Sequence, residues 1–233
     1  MAGEGCQVCG SDRLRHSRLA AYSGSMGDVW SMIAAERTGL ADELQDLTEE
    51  QWATPSLCDG WTVRDVVAHL LMPFHMSLPK LMWKMAANGF DFDKVSHKAA
   101  KSDVRPATAL IDDLRTNAEH RFSPPGFGPE APLTDLVVHG QDIRLPLGFS
   151  HHVPDDHARV VLDLLITPKA AKAFSEKGLL AGLRLEVDEL EWSYGSGHVV
   201  SGRAEAMIMT LAGRTALLDE LTGPGLDELC RRL

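Results

Sequence analysis

The stretch CDGWTVRDVVAHL, residues 58–70, decides the fold of this chain, because it encodes a loop, a helix cap and the start of a helix. Its Asp-Gly pair is typical of turns, since Gly tolerates positive φ and Asp bonds nearby backbone. Thr62 can cap a helix, and Asp65 stands where a capping box has its acidic partner. The apolar residues that follow recur at helical spacing. His69 lies among them, and alone such a histidine more often belongs to a core than to a binding site.

A second stretch, PLTDLVVHGQDI at residues 132–143, gives that histidine possible partners. Asp135, His139 and Asp142 fall within roughly 60° of arc on a helix, and aliphatic residues flank them. A polar stripe of this kind is costly to bury unless its groups are paired or bind a metal. A carboxylate and an imidazole at i, i+4 can reach one ion, and a histidine on a facing helix can supply a third ligand. The pattern predicts a catalytic zinc site with one open position.

The two stretches together resemble the mycothiol-dependent maleylpyruvate isomerase family. CDGWTVRDVVAHL is followed about 65 residues later by DLVVHGQDI, and the segment from Glu191 to Leu233 is similar to the small C-terminal domain of that family. The resemblance implies an N-terminal DinB-like four-helix bundle and a zinc ion bound by His69, Asp135 and His139. It also implies the small thiol mycothiol as cosubstrate. The departure is Asp135, because the family usually has a Glu there and Asp is one methylene shorter.

Three other residues have roles that the sequence leaves open. Asp142 can orient a ligand histidine by a hydrogen bond without binding the metal itself, or it can bind the metal in place of Asp135. Arg214 stands where the family's C-terminal domain offers an arginine near the site, which implies a catalytic role in holding a carboxylate of the substrate or thiol. A surface or capping arginine is the alternative. Cys58 belongs to the loop motif, and we interpret it as structural.

Composition limits the classes of function. The chain has 233 residues, 44% of them hydrophobic, and a formal net charge of −10 with a pI near 5.4. An acidic balance argues against nucleic acid or an anionic membrane as partner, since both need a basic face. No apolar run is long enough to span a bilayer, and no signal peptide opens the chain. Four cysteines without an export signal predict a reducing, cytoplasmic location with free thiols.

The hydrophobic pattern predicts a fold of the α+β class. Helical spacing begins at Val29, and Pro106 and Pro132 stand where prolines open helices. Alternation of apolar and charged residues from Leu183 predicts a strand. The other expected features are a kink or division at Pro73 and Pro79, a loop over 88–105, a helix from Pro154 to Phe174, a strand pair around the turn within 191–200, and a long helix over 204–221 that carries Arg214.

We therefore expect three parts. Residues 1–25 form a flexible N-terminal tail, residues 26–150 a DinB-like metal-binding helical bundle, and residues 151–233 a C-terminal α+β domain of the maleylpyruvate isomerase type. In the tail, Cys6 and Cys9 would make half of a zinc knuckle. Two thiols cannot close a tetrahedral site, which favours a tail without metal.

The expected function is that of a zinc-dependent enzyme which activates mycothiol for attack on an electrophile, as an S-transferase or a cis-trans isomerase. A zinc-bound thiol is held as thiolate, and a thiolate is a nucleophile at neutral pH. The partners are then a small thiol and an electrophilic substrate, without nucleic acid or membrane. Two alternatives stay open: a non-catalytic metal or small-molecule binding module, and a metal-dependent hydrolase with water on the open position.

Overall fold

The computed structural model describes residues 26–149, 152–170 and 178–233. Its helices are α1 (Met26–Leu44), α2 (Glu49–Trp52), α3 (Val63–His75), α4 (Leu78–Ala87), α5 (Phe92–Lys101), α6 (Ala107–Thr116), α7 (Glu130–Arg144), α8 (Asp155–Leu165), α9 (Ala204–Leu211) and α10 (Leu226–Cys230). Its strands are β1 (Leu183–Val187), β2 (Trp192–Gly195) and β3 (His198–Ser201). Helices followed by a small sheet confirm the predicted α+β class.

Four helices form the bundle. Helices α1 and α3 each pack against both α6 and α7, which closes a ring of four. Their apolar faces meet in a shared core, in which Leu40, Leu71, Leu110 and Leu133 are at most 1% exposed. Burying a leucine side chain completely contributes about 1.5–3 kcal/mol, so these four leucines, one from each helix, help to hold the helices together. The predicted DinB-like four-helix bundle is confirmed.

Helix α3 begins as its sequence predicts. The Thr62 side chain accepts a hydrogen bond from the backbone N–H of Asp65, and Asp65 Oδ2 accepts one from the backbone N–H of Thr62 at 2.8 Å. Lys101 Nζ, from α5, lies 2.7 Å from the same carboxylate oxygen. Pro73 lies inside α3, which ends at His75. The capping box therefore fixes the direction in which α3 leaves the loop.

The segment between α3 and α6 differs from the prediction. Residues 88–105 were expected to form a loop, but they contain α5, which packs closely against α3. Asp91 caps this helix by accepting from the backbone N–H of Lys94 at 3.0 Å. The buried residues Val95, Ser96 and Ala100 form a narrow stripe. A stripe with one large apolar residue gives a weak sequence signal, because packing against α3 rather than its own hydrophobicity stabilises the helix.

The C-terminal sheet has an order that the sequence did not predict. Residues 191–200 were expected to pair with each other around their turn, but β1 lies between the two strands, in the order β2-β1-β3. Strand β2 runs antiparallel to β1, and β3 runs parallel to it. The Gly-Ser-Gly turn at residues 195–197 therefore connects two strands on opposite sides of β1 instead of closing a hairpin. Gly197 has φ +132°, and a Cβ there would lie 1.9 Å from the Gly182 carbonyl oxygen.

The last long helix is shorter than predicted. It was expected over residues 204–221, but α9 ends at Leu211. Gly213 has φ +78°, and its N–H donates to the carbonyl of Thr210, while Arg214 N–H donates to the carbonyl of Met209 at 2.8 Å. This pair of bonds is a Schellman motif, which ends helices at a left-handed glycine. Arg214 therefore lies in the loop after α9.

Domain limits stay a prediction. Helix α8, beyond the predicted boundary at residue 150, packs against both α7 and α9, and one hydrophobic core runs through the described residues.

The helix predicted to end at Phe174 ends at Leu165 in this structure. Residues 171–177, and the predicted tail 1–25 with Cys6 and Cys9, lie outside the described residues. Within the described ranges, no helix has the length and apolarity needed to cross a membrane.

The Asp65 carboxylate gives a pH-dependent prediction. Burial raises its pKa, but hydrogen bonds from Lys101 and Thr62 outweigh burial and lower it. A lowered pKa stabilises the fold above the unfolded-state pKa near 3.9, and this contribution is lost as the pH falls through the folded-state pKa. Asp65→Asn should reduce the free energy of unfolding by about 1–2 kcal/mol at pH 7, and the difference should shrink as the pH falls below the unfolded-state pKa.

Denaturant unfolding at several pH values measures this difference. The matched control is Asp91→Asn, which removes an exposed carboxylate that also caps a helix and pairs with a lysine. Its effect at pH 7 should be clearly smaller. An Asp65→Asn loss that stays constant between pH 7 and pH 3 would contradict the ionic origin of the stabilisation.

Candidate metal centre

Three predicted ligand side chains meet between α3 and α7. Asp135 Oδ1 lies 3.6 Å from His69 Nε2 and 3.5 Å from His139 Nε2. The three donor atoms all lie within 4.8 Å of one another. The histidine side chains are nearly buried, at 10% and 14% exposed, whereas that of Asp135 is 44% exposed. The shorter Asp side chain therefore reaches both imidazoles, and the group opens to solvent on its carboxylate side.

The distances from Asp135 to the two histidines fit a zinc ion. Ligand atoms bound tetrahedrally at zinc distances of about 2.0–2.1 Å lie roughly 3.4 Å apart. The two Asp135–histidine distances are close to that value. Two imidazole nitrogens and one carboxylate oxygen are also a donor set that zinc accepts, and three protein ligands leave one position for a reactant. His69, Asp135 and His139 thus have the chemistry and the spacing to hold such an ion.

Asp142 lies on the far side of the His139 ring. Its Oδ2 is 2.8 Å from His139 Nδ1, and its side chain is completely buried. Arg214 binds the same carboxylate with two nitrogens, Nε at 3.2 Å and Nη2 at 2.9 Å. A carboxylate bonded to Nδ1–H holds an imidazole so that the Nε2 lone pair points to the metal. The geometry places Asp142 behind a ligand rather than beside Asp135.

The charges of this group favour a cation. Burial acts to lower the pKa of His139, but bonds to Asp142 and Cys58 and the charge of Asp135 outweigh it and raise the pKa to about 10. Burial likewise opposes ionisation of Asp135, but the bond from His69 and the charge of His139 lower its pKa to about 2. Without an ion, a proton on His139 therefore balances the carboxylates on both sides. A divalent cation would replace that proton at Nε2.

His69 has supports that the sequence analysis missed. Ser96 Oγ on α5 lies 2.7 Å from His69 Nδ1, and the Trp61 ring packs on the His69 ring at 5.2 Å between centroids. Trp61 Nε1–H donates in turn to His97 Nδ1 at 2.7 Å. Ser96 and His97 were hidden because their segment was predicted to be a loop. Trp61 lies inside the motif at residues 58–70, but its position alone does not indicate what it contacts.

Cys58 lies closer to the centre than predicted for a structural loop residue. Its Sγ is 3.5 Å from His139 Nδ1 and 3.1 Å from Asp142 Oδ2, so these three also form a group with metal-ligand spacing. Arg214 Nη2 lies 3.8 Å from the same sulfur. A guanidinium already balances the Asp142 charge there, and it would repel a second cation. The group of His69, Asp135 and His139 is therefore the better candidate.

A family comparison covers part of the bundle. Residues 33–123 match the sequence model described as the mycothiol maleylpyruvate isomerase N-terminal domain. This region, less than half of the chain, is similar to that domain. The match includes Cys58, Trp61 and His69 but ends before α7, so the Asp135–His139 pair lies outside it. No curated protein matches the chain.

Solved structures of a mycothiol-dependent maleylpyruvate isomerase share the fold. A crystal structure of a histidine-to-alanine mutant of that isomerase aligns with a TM-score of 0.56 at 16% identity, over 86% of this chain and 93% of the other. Another crystal structure of the isomerase has a TM-score of 0.47 at 14% identity with the same coverage. The first alignment extends the likeness beyond the isomerase-family domain, since it spans most of both chains. At this identity it establishes the fold alone.

Metal content tests which group binds an ion. The wild-type protein should carry one divalent ion per chain, most readily zinc, and His69→Ala or His139→Ala should abolish it. Asp135→Ala should weaken binding and Asp135→Glu should retain it. Asp142→Asn should weaken zinc binding about 10–100-fold, because it removes the carboxylate behind His139.

Cys58→Ala is the matched control, and elemental analysis with competitive chelator titration measures all these variants. It removes a group from the same cluster that is not expected to bind the ion, so the metal should stay. Loss of metal in Cys58→Ala together with full retention in Asp135→Ala would assign the ion to the other group.

Proposed function

We propose that this protein is a metal-dependent enzyme that activates a small thiol of the mycothiol type for attack on an electrophile. The reaction is then an S-transfer or a cis-trans isomerisation. His69, Asp135 and His139 hold the metal, which we propose to be zinc. A zinc ion in this position would keep a bound thiol ionised at neutral pH and so make it nucleophilic. Mycothiol is proposed because the related isomerase is described as mycothiol-dependent.

One observation carries the proposal: Asp135 Oδ1 lies between two imidazole nitrogens at 3.5 and 3.6 Å, in a domain of the isomerase family. A solvent-exposed carboxylate requires no ion-pair partner, yet Asp135 has two histidines beside it, and His69 lies on another helix. A closed structural site would need a fourth protein ligand, and no fourth donor joins this group among the described residues. The open, partly exposed side of Asp135 supports access for a reactant.

The surrounding residues prepare the site before any reactant binds. The Asp142 carboxylate accepts a hydrogen bond from His139 Nδ1–H, and the Ser96 hydroxyl is hydrogen-bonded to His69 Nδ1. The Nε2 atoms of both rings therefore face the same point. Trp61 covers the His69 ring and excludes water from that side. Fixed ligands of this kind cost no reorganisation when the reaction begins.

Arg214 is proposed to act through Asp142 and not on the substrate. Its Nε and Nη2 bind the Asp142 carboxylate, and Nη1 donates to the Ala212 carbonyl at 2.6 Å. All three guanidinium nitrogens are thus engaged inside the protein. This differs from the substrate-binding role that the family resemblance implies. The arginine neutralises a buried carboxylate and so holds His139 in place.

Thiol consumption tests the proposed function. Zinc-loaded protein should bind mycothiol and accelerate its reaction with members of a panel of electrophiles that includes maleylpyruvate and haloarenes. His139→Ala should lose both properties, while Cys58→Ala, the control within the same cluster, should keep them. The measurements are calorimetric binding of the thiol, loss of free thiol for an S-transfer, and conversion of maleylpyruvate to its trans isomer for an isomerisation, which regenerates the thiol.

Other outcomes would assign another function. Thiol binding without consumption of any electrophile would support a binding module. Turnover of esters or amides without thiol would support a hydrolase. Metal-loaded protein that neither binds nor consumes mycothiol would contradict the proposal.

The role of Arg214 has its own test. Arg214→Ala should weaken zinc binding about 10–100-fold, as expected for loss of an outer partner of a metal site. At saturating zinc it should lower kcat more than it raises KM, because ligand geometry and not substrate binding is disturbed. Arg214→Ala with normal zinc affinity and a selective rise in KM for carboxylate substrates would instead support direct contact with the substrate.

A further inference from the structure

A groove separate from the metal centre runs between α3, α4 and α5. Its volume is about 450 Å³, within the range of small-molecule sites. Its apolar lining includes Met72 and Met76 of the α3 side and Ala99 and Val104 of the α5 side. Methionine side chains adapt to ligands of irregular shape. None of the residues that line the groove belongs to the metal centre.

Helix α4 forms one wall of this groove and is poorly covered. None of its described side chains is buried, although most of its residues are apolar. Met82 and Trp83 are 52% and 71% exposed. An apolar helix in a globular protein normally buries a stripe against its neighbours. Helix α4 instead stands away from α3 and leaves the groove open beneath it.

The cations that line the groove fall into two groups. Arg105 binds Asp103 at 2.6 Å and Asp113 at 2.8 Å, and His75 also pairs with Asp113. These cations are therefore balanced by carboxylates. The side chains of Lys80 and Lys84, on α4, form no hydrogen bond or ion pair with any described residue.

The lysine pair on α4 is suited to an anion. Lys80 and Lys84 are four apart on α4 and therefore lie on the same face, where two like charges repel. An anion placed between them would relieve that repulsion. This locally positive pair contrasts with the net charge of −10 of the whole chain, so it is a local feature and not the general surface.

We propose that the groove binds a small amphipathic carboxylate, with its charged group between Lys80 and Lys84 and its apolar part against Met72 and Met76. The adjacent apolar and positive surfaces match one molecule that has both properties. The inference does not depend on the metal centre or on the thiol reaction, because the two sites share no residue.

Calorimetry with simple probes tests the groove. Octanoate has the charge and the tail, acetate has only the charge, and octanamide has only the tail. The full-length protein should bind octanoate with one site per chain and bind the other two at least ten times more weakly. The same result is expected for His139→Ala, which disables the metal centre and leaves the groove intact, so failure of either proposal can be recognised separately.

Two double variants separate the groove from general electrostatics. Lys80→Gln with Lys84→Gln should weaken octanoate binding at least tenfold. Lys94→Gln with Lys98→Gln makes the same charge change on the neighbouring helix α5, outside the groove, and should change the affinity less than twofold. Thermal unfolding confirms that both variants are folded.

Three results would overturn the proposal. They are no octanoate binding at millimolar concentration, equal weakening by the two double variants, and equal affinity for octanoate and octanamide. Equal weakening would show that octanoate responds only to the local positive charge. Met76→Asp provides a further check, because a carboxylate in the apolar wall should abolish octanoate binding without removing either lysine.

Discussion

The arrangement of the candidate metal centre depends on one buried carboxylate. Asp142 is completely buried, and an isolated charge in that position would be strongly unfavourable. It is compensated by His139 on its own helix, by Arg214 from the loop after α9, and by the Cys58 thiol from the loop before α3. Burial raises the pKa of Asp142, but the bonds from His139 and Arg214 outweigh burial and lower it, so the group is an anion. Three distant parts of the chain must therefore meet at one carboxylate.

This requirement links the C-terminal part to the bundle. The sheet and α9 contribute none of the three proposed ligands, yet Gly213 ends α9 where Arg214 can reach α7. The loop before α3 is tied to the same point, since the Leu57 N–H donates to the Asp142 carbonyl at 3.1 Å. Removal of one member of a buried ion pair leaves an uncompensated charge and is strongly destabilising. The bundle supplies the proposed ligands, and the C-terminal part supplies the Arg214 charge that balances Asp142 beside His139.

Two surfaces of the α3–α5 region have different chemistry. At the candidate metal centre, His69 and Ser96 join these helices through a hydrogen bond at 2.7 Å. The same two helices also line the groove, together with the two lysines of α4. Helix α5 therefore supports the proposed ligand His69 and shapes the proposed carboxylate site. A change in the position of α5 would affect both sites, although they share no residue.

The sequence by itself determined the bundle and the candidate ligands. Capping at Thr62, helical spacing and the i, i+4 pair Asp135–His139 are local patterns, and local geometry alone decides which of these residues share a helix face. Only the tertiary structure decided what lies behind each ligand. Ser96 was hidden in a helix with a weak apolar stripe, which forms because it packs on α3. The position of Arg214 depends on a helix end at Gly213, and the order of the strands depends on pairing across β1. Such contacts join residues far apart in the chain, so their geometry exists only after the core has formed.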